Sequence, residues 1–148
     1  MTQPADLPSM FGRFTAILKD HEHLGSTLKQ LRSMCAALEA EAPLPASLAP
    51  LELLEDLASD LSRHFAAEEA DAYFGTIAEE APLLATRIAQ LTTEHATMLG
   101  AIADLCRFAD DTARHRELSR AARELVAQLE RHERDESLLL RELLAVGA

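Results

Sequence analysis

The chain has 148 residues and a formal net charge of -11, and 48% of its residues are apolar. That length suits one domain with one sizeable core, and that apolar share argues against disorder. The acidic balance, without a basic stripe, excludes a nucleic-acid partner and disfavours an anionic membrane surface.

Residues 1–148 are read as a single domain, with residues 1–8 expected to be a flexible N-terminus. Met1–Pro8 lacks the basic start and apolar stretch of a signal peptide. No run of about 18 apolar residues exists, so no membrane span is predicted. Leu, Ala, Glu and Arg, all strong helix formers, dominate, and runs of β-branched residues are absent. An all-α domain follows. Cys35 and Cys106 both fall inside helical patterns. They read as core thiols of a cytoplasmic protein.

The first predicted helix runs from about Ser9 to Glu41, with Phe14, Ile17/Leu18, Leu24, Leu28, Leu31, Cys35 and Leu38 on its apolar face. The Pro-rich stretch from Ala42 to Pro50 ends it. Ser47 is the expected cap of the second helix, which reaches about Phe74 on the stripe Leu54, Leu57, Leu61, Phe65. Gly75 and Pro82 bracket a broken connection, in which Thr76 and Glu79 are spaced as a capping box. The third helix runs from about Pro82 to Ala109 on Ile88, Leu91, Met98, Ile102 and Leu105. Asp110-Asp111-Thr112 reads as a turn and cap. The fourth helix spans about His115–Leu144 on Leu118, Leu125, Leu129, Leu139/Leu140 and Leu143. Four long helices with short connections predict an up-down-up-down antiparallel four-helix bundle.

The two halves repeat each other. Aligning His21 with His95 also aligns Ile17, Asp20, Leu24, Leu28 and Leu31 with Leu91, Glu94, Met98, Ile102 and Leu105. Aligning His64 with His132 brings Leu57, Leu61, Arg63 and Glu68 onto Leu125, Leu129, Arg131 and Glu136. Two copies of one helical hairpin imply an approximate two-fold axis, near which the matched polar residues would meet.

Those matched residues lie on the apolar stripes. His21 and His95 continue the core spacing of their helices, and the pairs His64/Glu68 and His132/Glu136 each lie one turn apart on one face. An unpaired carboxylate in a core costs several kcal/mol or more, and two facing carboxylates repel. A pair of cations answers both problems. The expected ligands are therefore His21, His64, Glu68, His95, His132 and Glu136, with the carboxylates bridging and two imidazoles on each ion. Imidazole with carboxylate suits Fe, Zn, Mn or Cu. Two iron ions are the expected occupants, with Zn or Mn as substitutes. The pattern differs from the Glu-x-x-His pairs of ferritin-like centres.

On Asp20-His21-x-x-Leu24, His64-x-x-x-Glu68-Glu69, Glu94-His95-x-x-Met98 and His132-x-x-x-Glu136, the chain resembles the hemerythrin-like, cation-binding HHE domains from roughly Phe11 to Leu144. The resemblance implies an antiparallel bundle with a non-haem di-iron centre. It also implies a role in binding or sensing O2, NO, peroxide or a related small oxidant, or in handling iron. Alternatives are a di-iron oxidoreductase reducing peroxide or NO, and an iron-centre repair protein of oxidative or nitrosative stress. A binding or sensing module is favoured over an enzyme. The O2 carriers of that family have a His-x-x-x-His pair on the third helix, whereas Leu91 stands four residues before His95 here. That departure weakens the case for reversible O2 carriage.

Other polar residues receive blander readings. His23, on the side of Lys19, Thr27 and Gln30, is expected to be exposed but is the main competitor to His21 as the ligand from the first helix, and His115 is expected to lie on the surface. Glu69, about 100° around the helix from Glu68, is a minor candidate ligand. Glu133 and Asp135 are expected to be solvated. Tyr73 falls roughly opposite His64 on the helical wheel and receives no role. Asp20 and Glu94 are either solvated or acceptors for an imidazole N–H.

Overall fold

The computed structural model describes residues 7–146, with no account of the side chains of residues 7–16, 18, 71, 72 and 144–146. The expected flexibility of the N-terminus, and the core roles of Phe14 and Leu18, therefore lie outside the described residues. All regular elements among the described residues are helical. Four long helices, α1 (Leu7–Glu39), α2 (Pro50–Glu69), α4 (Ala85–Phe108) and α5 (His115–Val146), are accompanied by the short α3 (Thr76–Glu80). Helix α1 packs on α2 and α5, and α4 packs on the same two. No described helix is long and apolar enough to cross a membrane.

Helix ends follow local chemistry, and not always the residue the spacing suggests. The first helix stops at Glu39 rather than Glu41. Beyond it, the Ala42 amide donates to the Ala37 carbonyl at 2.9 Å and the Glu41 amide to that of Leu38 at 3.2 Å. That closure places Glu41 at φ 53°, a left-handed conformation normally given to glycine. Relief of the left-handed penalty (about 1–2 kcal/mol) outweighs glycine's extra chain entropy (about 0.5–1 kcal/mol). Glu41→Gly is therefore expected to stabilise the fold by about 0.5–1 kcal/mol, a rise in melting temperature of roughly 1–4 °C by thermal denaturation.

Ser47 does not cap the second helix. It lies in a 3-10 turn, Ala46–Leu48, and α2 starts at Pro50 after Ala49. Proline's fixed φ and missing N–H suit the first helical position. The helix ends at Ala70 (φ -58°, ψ 141°), and a π-helical turn, Asp71–Gly75, follows. Thr76 is the first residue of α3, and Gly75 takes the cap position expected of Thr76. Pro82–Leu84 is a 3-10 turn that feeds α4. The Asp111 carboxylate accepts from the Ala113 amide at 3.1 Å, the cap expected at this turn.

The interior is in two parts. One cluster joins Leu24, Leu28, Leu31, Leu54, Leu57, Leu61, Phe65, Met98, Ile102, Leu125 and Leu129, among others. A smaller one joins Ile17, Tyr73, Phe74, Ile77, Leu84, Ile88, Leu91 and Leu139. Along α1, His21 separates Ile17 of the smaller cluster from Leu24 of the larger. On α4, His95 separates Leu91 from Met98, and on α5, His132 and Glu136 separate Leu129 from Leu139. Between Phe65 and Tyr73 stands Glu68. A polar layer thus cuts the core at one depth on all four long helices. Cys35 and Cys106 are free thiols, and Cys35 is buried in the larger cluster.

Candidate metal centre

The i, i+4 spacing projects His64 and Glu68 from one face of α2 and His132 and Glu136 from one face of α5. Each of α1 and α4 adds one imidazole, from His21 and His95. Glu68 and Glu136 are fully buried, and His64, His95 and His132 are at most 5% exposed. His21 is partly exposed. The six side chains form two groups whose ligand-type atoms lie within 4.8 Å of one another, His21–His64–Glu68–Glu136 and Glu68–His95–His132. All the ligands expected from the sequence are therefore brought together.

Glu68 belongs to both groups. Its Oε1 lies 3.3 Å from His64 Nε2 and 3.3 Å from His95 Nε2. Glu136 Oε2 lies 3.7 Å from His21 Nε2 and 4.0 Å from His132 Nε2. The two imidazole pairs repeat one geometry. His21 and His64 have ring centroids 4.7 Å apart at 62°, and His95 and His132 have theirs 4.8 Å apart at 62°. The repeat seen in the sequence is thus a repeat of the site.

His95 Nε2 and His132 Nε2 are 3.0 Å apart. Two imidazoles bound at a right angle to one ion at about 2.1 Å have nitrogens about 3.0 Å apart, so the separation fits a shared ion as well as a shared proton. The carboxylates favour the ion. Both oxygens of Glu68, Glu136 Oε2 and His21 Nε2 are buried without a hydrogen-bond partner. Buried polar atoms are rarely left unpaired, and a cation could supply the missing partner.

Electrostatics agree. Burial pushes Glu68 up to about 7. Burial, with Glu68 beside it, pushes Glu136 up to about 10. Burial lowers all four imidazoles, His95 to about 4. Neutral imidazole is the form that ligates a metal.

The surroundings hold the ligands in place. Phe65, from the larger core cluster, stacks on His95 at 3.9 Å and 9°, and Phe74, from the smaller one, lies nearly parallel to it at 5.9 Å. Asp20 Oδ2 is 3.6 Å from His64 Nδ1, and Glu94 Oε2 is 3.4 Å from His132 Nδ1. Both carboxylates, left open between two readings by the sequence, thus face an imidazole on another helix. Glu69 lies 3.8 Å from His95 Nδ1, behind the ring, and belongs to neither ligand group. His23 is exposed and bonded to Asp60 at 2.8 Å, away from the centre. Leu91 is buried in the smaller core cluster, one turn before His95.

Two residues at the site are missed by the sequence reading. Tyr73 is buried, and its hydroxyl donates to Glu136 Oε1 at 3.3 Å. A helical wheel carried from His64 to Tyr73 crosses the break at Ala70 and the π turn, so it gives the wrong direction. Glu133 is not solvated as expected. Its Oε1 is buried without a partner, and burial beside Glu136 pushes its carboxyl up to about 7. The signal was present in the sequence, because Glu133 stands one turn after Leu129 on the core stripe.

Beside the centre, a cleft of about 350 Å³ opens between α4 and α5, lined by Thr93, Glu94, Thr97, Gln128, Arg131 and His132, among others. No known family, curated protein or solved structure matches this chain.

Proposed function

We propose that the chain is a hemerythrin-like, up-down-up-down antiparallel bundle that holds two iron ions. It would bind or sense a small oxidant, such as O2, NO or peroxide, or handle iron itself. The observation that carries this reading is the shared carboxylate. Glu68 is fully buried, lacks a hydrogen bond, and stands equally close to an imidazole of each ligand group. Opposite chain direction is supported by α1–α5 pairing, in which Glu39 meets Arg123 while His21 meets Glu136.

His21 and His64 would hold one ion, His95 and His132 the other, with Glu68 and Glu136 between them. Nitrogen and carboxylate donors without thiolate suit iron, zinc or manganese. Neither group fills an octahedral shell, so each ion would keep room for solvent or a small ligand. When bound, the iron pair supplies the redox change and the open position. The protein fixes the imidazoles, excludes bulk water and, through the Tyr73 hydroxyl, donates a hydrogen bond to Glu136 Oε1 that orients this carboxylate and favours its ionised form.

The test is the iron content and visible spectrum of aerobically purified protein. About two iron ions per chain and a coloured product are expected, with His64→Ala and His132→Ala each losing at least the ion that imidazole would hold and the colour of the pair. A colourless protein with zinc would retain the site and overturn the iron. A second reading, an oxidoreductase that reduces peroxide or NO at the same centre, draws on the cleft beside His132. Turnover of either substrate with a reductant would distinguish it from simple binding.

A further inference from the structure

Three carboxylates face the outer nitrogens of three imidazoles, and each comes from a different helix. Asp20 of α1 faces His64 of α2 at 3.6 Å and Glu69 of α2 faces His95 of α4 at 3.8 Å, both in ion-pair range but beyond a hydrogen bond, and Glu94 of α4 faces His132 of α5 at 3.4 Å, within hydrogen-bond distance. The contacts pass around the bundle from one helix to the next. They stop between α5 and α1. Among the described residues, no carboxylate faces His21 Nδ1, and the one acid in ion-pair range of this ring is Glu136 at Nε2.

The repeat explains the gap. The alignment that pairs Glu68 with Glu136 pairs Glu69 with Ser137. Ser137 is exposed on α5, so the fourth position of the ring carries a hydroxyl where its counterpart carries a carboxylate.

From this arrangement, and resting on the proposed metal centre, we infer that Asp20, Glu69 and Glu94 are positioning residues, and that the open fourth place makes the ion on His21 the exchangeable one. A carboxylate behind an imidazole fixes its ring orientation and tautomer and raises its basicity toward a metal, which is worth about 10–100-fold in affinity. Glu68 belongs to both groups, and Glu136, grouped with His21, also lies 4.0 Å from His132 Nε2, so each position would have both carboxylates within reach. The difference between the positions therefore falls on the imidazoles. His95 and His132 are buried and both are backed, whereas His21 is partly exposed and unbacked.

The test is stepwise removal of Fe(II) or Co(II) from the full-length loaded protein by a chelator. Two steps are expected, with His21→Ala abolishing the faster and keeping the slower. Glu69→Gln and Glu94→Gln should each weaken the slower ion by about 10–100-fold. Asp60→Asn, which removes a carboxylate from the remote His23, should change neither step. Ser137→Glu should close the ring and slow the faster step by about 10-fold. Thermal melts in chelator confirm that each variant folds. Loss of both ions in one step, or Glu69→Gln and Glu94→Gln indistinguishable from Asp60→Asn, would overturn the inference. So would an unchanged faster step in Ser137→Glu. A wild-type protein that takes up neither metal overturns the proposed function itself, and does so before any variant is made.

Discussion

Glu68→Met is expected to abolish metal binding and, at the same time, to make the metal-free protein more stable. Glu68 is fully buried, has no hydrogen bond, and shares the layer with Glu136. In the empty protein its ionisation is opposed by burial, is partly favoured by a proton that the adjacent Glu136 carboxyl can share with it, and is further opposed by the neighbouring acids Glu133, Glu69 and Asp20. A methionine of similar volume removes that opposition and joins the two apolar clusters on either side. Replacing buried ionic groups by well-packed apolar ones stabilises proteins by about 1–4 kcal/mol. At about 2–4 °C per kcal/mol, the melting temperature in chelator at pH 8 should rise by several degrees. Metal content should fall to near zero, because the carboxylate common to both groups is gone. A lower melting temperature with metal retained would show that Glu68 is a structural group and not a ligand. On the proposed reading, the trade-off would be that of a functional residue kept at the expense of stability.

The second large effect concerns pH. Glu68, Glu133 and Glu136 have folded-state values of about 7, about 7 and about 10, above their ordinary value of 4.5. Between the ordinary and the raised values the folded chain holds protons that the unfolded chain has released. Stability of the metal-free protein therefore falls as pH rises through that window. The four imidazoles are lowered from 6.5, so their contribution runs the other way and is confined below that value. Above pH 7 the carboxylates dominate, and the raised thiols Cys35 and Cys106 add in the same direction toward pH 9. One extra proton on the folded state gives a slope of about 1.4 kcal/mol per pH unit. Denaturant unfolding in chelator should then show a loss of about 2–3 kcal/mol from pH 7 to pH 9. If the proposed centre is loaded, bound cations would replace the protons, and metal affinity would increase with pH, so the loss should vanish or reverse. Equal stability of the chelated protein at both pH values would contradict the assignment of these carboxyls as protonated and buried.

Much of this centre was readable from spacing alone. Each of the six ligand-type residues stands on an apolar stripe, and the repeat pairs them. Register along an unbroken helix follows directly from 3.6 residues per turn. What spacing does not carry is anything that crosses a break or joins two helices. Tyr73 lies beyond Ala70, where the backbone turns extended and then takes a π turn. Asp20 and Glu94 are adjacent in sequence to His21 and His95 but face His64 and His132, so their roles depend on packing angles between helices. Glu133 was judged by its charge instead of by its place one turn after Leu129. Helix boundaries slipped for a similar reason. Ser47 is the better cap by residue type, but Pro50 has the φ that a first helical turn requires.

The layer that divides the core also acts as a key. Each long helix crosses it once, and the residues one turn to either side are largely hydrocarbon: Ile17 and Leu24 around His21, and Leu91 and Met98 around His95. Sliding any helix by a turn would leave Glu68 or Glu136 facing aliphatic side chains with neither cation nor imidazole to balance it. Such a slip costs several kcal/mol on carboxylate desolvation alone, whereas a bundle of uniform Leu stripes would tolerate it. The groups that weaken the empty bundle are thus the ones that allow it only a single alignment.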